Sequence, residues 1–116
     1  MPGPTADETV REIDHAFLAE QTAGDADLAR ELLSLFAGQC RALVPGIADA
    51  ALDPADRADK AHTLKGSAAG IGALRIRDLC APIEDGLRRT GAADAAALAE
   101  LDAAANRVLA EIEAGG

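Results

Sequence analysis

Residues 60–72 read KAHTLKGSAAGIG, with Ala61, Leu64, Ala68 and Ile71 recurring at the three- and four-residue spacing of one helical face. Gly66 and Gly70 fall inside that helix, where each costs about 1 kcal/mol relative to alanine. On a wheel turning about 100° per residue, the four apolar residues cluster around one direction, the core side. His62 lies about 120° from that direction, and Lys65, Gly66 and Ala69 lie within about 60° of His62. One segment thus presents a core face and, beside it, an exposed strip carrying His62, Lys65, Gly66 and Ala69. Lys65 and Gly66, three and four residues on, are surface neighbours of His62.

The rest of the chain supplies helices for this one to pack against. Thr5-Ala6-Asp7-Glu8 has capping-box spacing, and Val10, Ile13 and Phe17 mark a first helix ending near Gly24. Asp25 caps a long second helix running to about Ala51. Its apolar seam is read as Leu28, Leu32, Leu35, Leu43 and Ile47, widened by Phe36 and Cys40. Pro45 and Gly46 are expected to kink or loosen its end. Asp53-Pro54 pairs an N-cap acid with a proline at the first helical position, opening the third helix, which ends around Gly70 to Gly72. The fourth carries Leu79, Ile83 and Leu87 and stops at Gly91, with Arg88 and Arg89 suited to its C-terminal dipole. Pro82 predicts a bend inside it. The fifth begins near Asp94, and its seam of Leu98, Leu101, Ala105, Val108 and Ile112 alternates steps of three and four. Short connections between helices with single apolar faces make neighbours antiparallel. The expectation is a single all-α domain with its core over about residues 7–113, an up-down four-helix bundle with an additional N-terminal helix packed over one end or flank.

Composition agrees and narrows the function classes. The chain of 116 residues has no Trp or Tyr and two Phe, so its core is built from Leu, Ile, Val and Ala. A net charge of −9 leaves no basic patch for nucleic acid or an anionic membrane. No stretch approaches 18 consecutive apolar residues, and MPGPTADETV resembles no signal peptide, so a cytoplasmic protein is expected. Cys40 and Cys80 lack any CxxC or Cys/His ligand spacing and are expected as buried free thiols. His15 is remote from His62, and the two form no metal site. Of the eleven Lys and Arg, only Lys60 and Lys65 are lysine, and both flank His62.

A solvent-facing imidazole, largely neutral near pH 7, is a competent nucleophile or group carrier. A lysine one turn on supplies a movable positive charge for a phosphoryl group. A glycine at i+4 removes the side chain that would crowd the ring, and small residues at Ala69 and Ala73 extend a flat approach for another protein. Taken singly, each residue also has a structural reading. A lone surface histidine usually does nothing, the glycines serve close helix packing, and Lys65 snorkels along the apolar flank.

The run Ala61-His62-Thr63-Leu64-Lys65-Gly66, followed by small residues and glycine, resembles the signature of histidine-containing phosphotransfer (HPt) domains. Gly24-Asp25 with Leu28, Glu31-Leu32-Leu33 and Phe36, and Leu79-Cys80-Ala81-Pro82-Ile83-Glu84, extend the resemblance over about residues 10–112. It implies that His62 accepts a phosphoryl group from a receiver-domain aspartate and passes it on. Lys65 is then the phosphoryl-stabilising residue and Gly66 the steric clearance. Glu84 falls where the family carries a polar residue able to orient the imidazole, its other reading being a solvated helix carboxylate. Ala69 and Ala73 are the expected receiver-docking surface. The implied partners are receiver domains of response regulators or hybrid histidine kinases, with Mg²⁺ on the receiver and no cofactor or metal of the chain's own. The chain has no ATP-binding domain, so the expectation is a monomeric phosphocarrier, not an enzyme. Two other readings stay open: a non-catalytic helical interaction module, and the phosphoacceptor module of a larger chemotaxis-type histidine kinase. The capped ends favour a stand-alone protein.

Overall fold

The computed structural model describes residues 11–115, so the Thr5–Glu8 capping box and Val10 lie outside the described residues. Five helices and no strand are present among them: α1 His15–Gln21, α2 Ala26–Ala48, α3 Pro54–Ile71, α4 Leu74–Thr90 and α5 Ala95–Glu113. Helices α2 to α5 close a ring, α2 on α3, α3 on α4, α4 on α5 and α5 on α2, and α1 packs on α2 and α3.

Local chemistry explains most helix ends. The side chains of Asp25, Asp53 and Asp94 accept hydrogen bonds from Leu28 N, Ala55 N and Ala97 N, satisfying donors that the first turn leaves open. Gly72 and Gly91 end α3 and α4 at φ +87° and +76°, the left-handed conformation that glycine adopts without a Cβ penalty. Gly72 is confined by packing as well, because a Cβ there would sit 3.0 Å from Asp14 O and 3.2 Å from the Phe17 ring. Asp14 N donates to Gly72 O over 2.9 Å, which ties the start of α1 to the turn between α3 and α4.

The structure corrects three expectations. The helix that carries Phe17 starts only at His15: Asp14 caps it by accepting from Phe17 N, and Ile13 is buried ahead of the cap, not within the helix. Helix α2 ends at Ala48 because Asp49 Oδ1 accepts from Ala51 N in a tight turn, although the helix does continue through Pro45. Its buried face is Leu33, Phe36, Ala37, Cys40, Val44 and Ile47, whereas Leu28 and Leu35 of the expected seam are exposed, Leu35 by 64%.

The core also takes Ala58, Ala61, Leu64, Ala68 and Ile71 from α3, Ile76, Cys80, Ile83 and Leu87 from α4, and Leu101, Ala104, Ala105 and Val108 from α5. Both cysteines are free thiols, and burial pushes them up, Cys40 to about 11 and Cys80 to about 12. Neither is a thiolate near neutral pH. Arg57, also buried, extends its Nε to donate to Ile47 O over 2.9 Å, satisfying a carbonyl in the last turn of α2. No helix among the described residues is long and apolar enough to cross a membrane.

Candidate functional site

The core stripe of α3 turns His62 outward, leaving its side chain 64% exposed. The tight Gly72–Ala73 turn brings α4 back alongside, and its carboxylate Glu84 meets the ring. His62 Nδ1 lies 3.1 Å from Glu84 Oε2 and 3.3 Å from Oε1. Glu84 also accepts from Lys65 Nζ at 2.8 Å on Oε1 and from Arg88 Nε at 3.0 Å on Oε2. The Nη2 of Arg88 reaches back across to α3, donating to Asp59 Oδ1 over 3.1 Å. Glu84 thus joins the imidazole to a chain of charged side chains from two helices, Lys65 on one oxygen and Arg88, itself held by Asp59, on the other.

The charge of Glu84 decides which way its hydrogen bond with the ring runs. The carboxylate side chain is only 12% exposed, and burial by itself would raise its pKa. Hydrogen bonds from Lys65, Arg88 and His62 outweigh that burial and bring it down to about 2. Glu84 is therefore an anion at neutral pH and can only accept. The proton of the neutral imidazole then sits on Nδ1, and the lone pair is on Nε2, which makes no hydrogen bond among the described residues. That nitrogen belongs to a side chain that is mostly exposed.

A carboxyl whose folded pKa is depressed stabilises the fold above its unfolded value and loses that contribution as the pH falls through the folded one. The stability conferred by the Glu84 cluster is fully present above about pH 4.5 and declines towards about pH 2. In urea titrations between those values, wild type is expected to lose stability steeply, and Glu84→Gln to lose less. Parallel curves would show that the carboxylate is not held by its three donors.

Several expectations about individual residues are sharpened. The Lys65 ammonium does not float free; it is paired to Glu84. A Cβ at Gly66 or at Gly70 would meet nothing within 4 Å among the described residues, so neither glycine serves helix packing there. Both open onto the surface. Ala69 is half-buried on the same helix, but Ala73 is fully buried and cannot belong to an exposed docking surface. The wheel fails there because α3 ends at Ile71, and Ala73 belongs to the turn, its N–H donating to Ala68 O over 2.9 Å.

Sequence reasoning missed Arg88 and Asp59 as part of this cluster, assigning Arg88 only to the helix dipole. The i+4 spacing from Glu84 to Arg88 was a usable signal; the link to Asp59 spans two helices and left none. On the other side of the His62 strip, Ser67, Gly70 and Ile71 of α3 and Leu32, Leu35, Phe36 and Gln39 of α2 line an open groove of about 420 Å³. The second histidine, His15, stands with its Nε2 2.8 Å from Glu111 Oε2 of α5, away from His62.

No curated protein and no solved structure matches the chain. The family model of the Hpt domain does match, over residues 5–111. An exposed histidine on a helical bundle, with its second nitrogen held by a carboxylate, is consistent with that match. The chain belongs to the Hpt domain family, the histidine phosphotransfer modules of phosphorelay signalling.

Proposed function

We propose that this protein is a phosphorelay carrier that takes a phosphoryl group onto Nε2 of His62 from the aspartyl phosphate of one receiver domain and delivers it to another. The contact between ionised Glu84 and His62 Nδ1 carries this reading, because it leaves the lone pair on Nε2 of a largely exposed side chain. In the accepting step the Nε2 lone pair forms a bond to phosphorus, the bond from phosphorus to the aspartate oxygen breaks, and the carboxylate leaves. Hpt domains are phosphocarriers without kinase activity, and much of the acceleration comes from alignment within the docked pair. The receiver brings its own Mg²⁺. The up-down antiparallel course of α2 to α5 and a monomeric, cytoplasmic state are parts of the same reading.

Lys65 supplies charge to the incoming phosphoryl group by leaving Glu84. Lys65→Ala is expected to slow transfer about 10- to 100-fold, the scale of effect when one charged group that stabilises a transition state is removed. The helix should be kept, since alanine is the better helix former. A wild-type rate would remove Lys65 from the mechanism.

Gly66, Gly70 and the groove beyond them form one continuous surface from His62 to Leu35, and a receiver domain seated over His62 covers it. Gly66 lets the partner's backbone approach the ring. Burial of an exposed leucine contributes about 1.5–3 kcal/mol, so Leu35→Asp is expected to weaken receiver binding by roughly 10- to 100-fold with the fold unchanged. Calorimetric titration against a phosphorylatable receiver measures this, and unchanged affinity would place the partner elsewhere.

The function is tested by incubating the protein with receiver domains charged by a small-molecule phosphodonor. The expected result is an acid-labile, base-stable phosphate on this chain. No labelling by any receiver of the host would contradict the carrier reading.

A further inference from the structure

The Glu84 carboxylate faces His62 Nδ1 at 3.1 Å, the ring nitrogen that phosphorylation on Nε2 leaves free. Resting on the carrier reading above, we propose that Glu84 is the counter-charge of the phosphorylated imidazole, holding a proton on Nδ1 and thereby setting how fast His62 gives up its phosphoryl group. The chemistry follows from the leaving group. When an aspartate or a water oxygen attacks phosphorus, the P–Nε2 bond breaks and its electron pair returns to Nε2. With a proton on Nδ1 the ring departs as neutral imidazole. Without that proton it must depart as an imidazolate anion, a far poorer leaving group.

In the geometry of this site the ring faces ionised Glu84 from α4 and lies beside Lys65 and Asp59 of its own helix. Phosphorylation alters that balance. A dianionic phosphoryl group on Nε2 competes with Glu84 for the Lys65 ammonium, three residues along α3. Glu84 Oε1 is then released from its 2.8 Å bond, which increases the negative charge seen by Nδ1. Arg88, anchored by Asp59, holds Oε2 in place through the exchange. Cys80, one turn before Glu84 on α4, stays a neutral thiol because burial pushes it up to about 12, and it adds no charge. The site is thereby a fast-discharge carrier: Lys65 favours loading, and Glu84 favours release.

The test loads His62 directly with phosphoramidate, so no cognate partner is needed, and follows hydrolysis of the phosphoprotein across pH. Wild type is expected to discharge rapidly up to a higher pH than Glu84→Gln. The profile of the variant should be displaced about one unit to lower pH, and its lifetime lengthened about tenfold at pH values above both midpoints, where the protonated fraction changes tenfold per unit. A second measurement uses wild type alone: the ¹⁵N shift of Nδ1 in phosphorylated His62 should titrate at least about one unit above that of the same phosphohistidine in urea-unfolded protein. Superimposable profiles and coincident titrations would overturn the proposal while leaving the carrier reading intact. Failure of both phosphoramidate and charged receivers to label His62 would overturn the two together.

Discussion

His62→Gln is expected to reduce phosphoryl uptake from a charged receiver domain to background. Glutamine is close in length to histidine, and its NH₂ group can donate to Glu84 in place of Nδ1–H. Its amide nitrogen has no available lone pair, so the acceptor is lost while the polar contacts of the cluster are largely kept. The fold should be indifferent to the change. The His62 side chain is 64% exposed on the solvent side of α3, and glutamine is the better helix former. Stability is therefore expected within about 0.5 kcal/mol of wild type, as for surface positions generally. Labelling of the folded variant at the wild-type rate would show that another residue carries the phosphoryl group. His15, the other histidine, would be examined first.

Leu64→Ala is expected to produce the largest loss of stability. Leu64 is fully buried on the core face of α3, between His62 and the glycine strip in sequence but on the opposite side of the helix. Removing a buried leucine costs about 2–5 kcal/mol, as transfer free energy plus the cavity left behind. A domain of this size has a total of about 5–15 kcal/mol. At roughly 4 °C per kcal/mol, the melting temperature should fall by roughly 8–20 °C. The chemistry should survive in the cold, because the His62–Glu84–Arg88 cluster lies on the outer surface. Transfer near the wild-type rate well below the melting temperature, lost on warming, is the expected pattern. A transfer defect of several hundredfold in the folded variant would mean that site and core are more tightly coupled than the geometry indicates.

What could be read from the sequence follows the range of each interaction. The ends of α3, α4 and α5 were legible because the signals are local: Asp53 with Pro54, Asp94, and the left-handed glycines at 72 and 91. The exposed strip of α3 was legible for the same reason, since Ala61, Leu64, Ala68 and Ile71 define one face unambiguously. On α2, leucines occupy two adjacent stripes; the reading was right at Phe36, Cys40 and Ile47, with Leu32 and Leu43 packed beside them, and went astray at Leu28 and Leu35. Continued past Leu35, that stripe meets the polar Gln39, whereas Leu33, Phe36, Ala37, Cys40, Val44 and Ile47 carry no polar residue between them on their face. The clean stripe was the better choice. Ala73 was misplaced because a wheel has no meaning past the glycine that ends a helix.

The charged contacts outside the motif could not be read. Arg88 to Asp59 links two helices, and His15 and the backbone of Glu12 and Ile13 converge on Glu111 from nearly the whole length of the chain away. Buried Glu12, in turn, takes a hydrogen bond from Arg107 Nε at 3.0 Å. Such pairs depend on the helix packing being known first.

Everything proposed for His62 depends on Glu84 leaving Nε2 as its nucleophilic atom. Loading ¹⁵N-histidine-labelled protein from a charged receiver and recording the ³¹P–¹⁵N coupling examines that atom itself. The expected spectrum is that of a single phosphohistidine, with phosphorus bonded to Nε2 of His62 and a proton on Nδ1. A phosphoryl group on Nδ1, or on any residue other than His62, would contradict it.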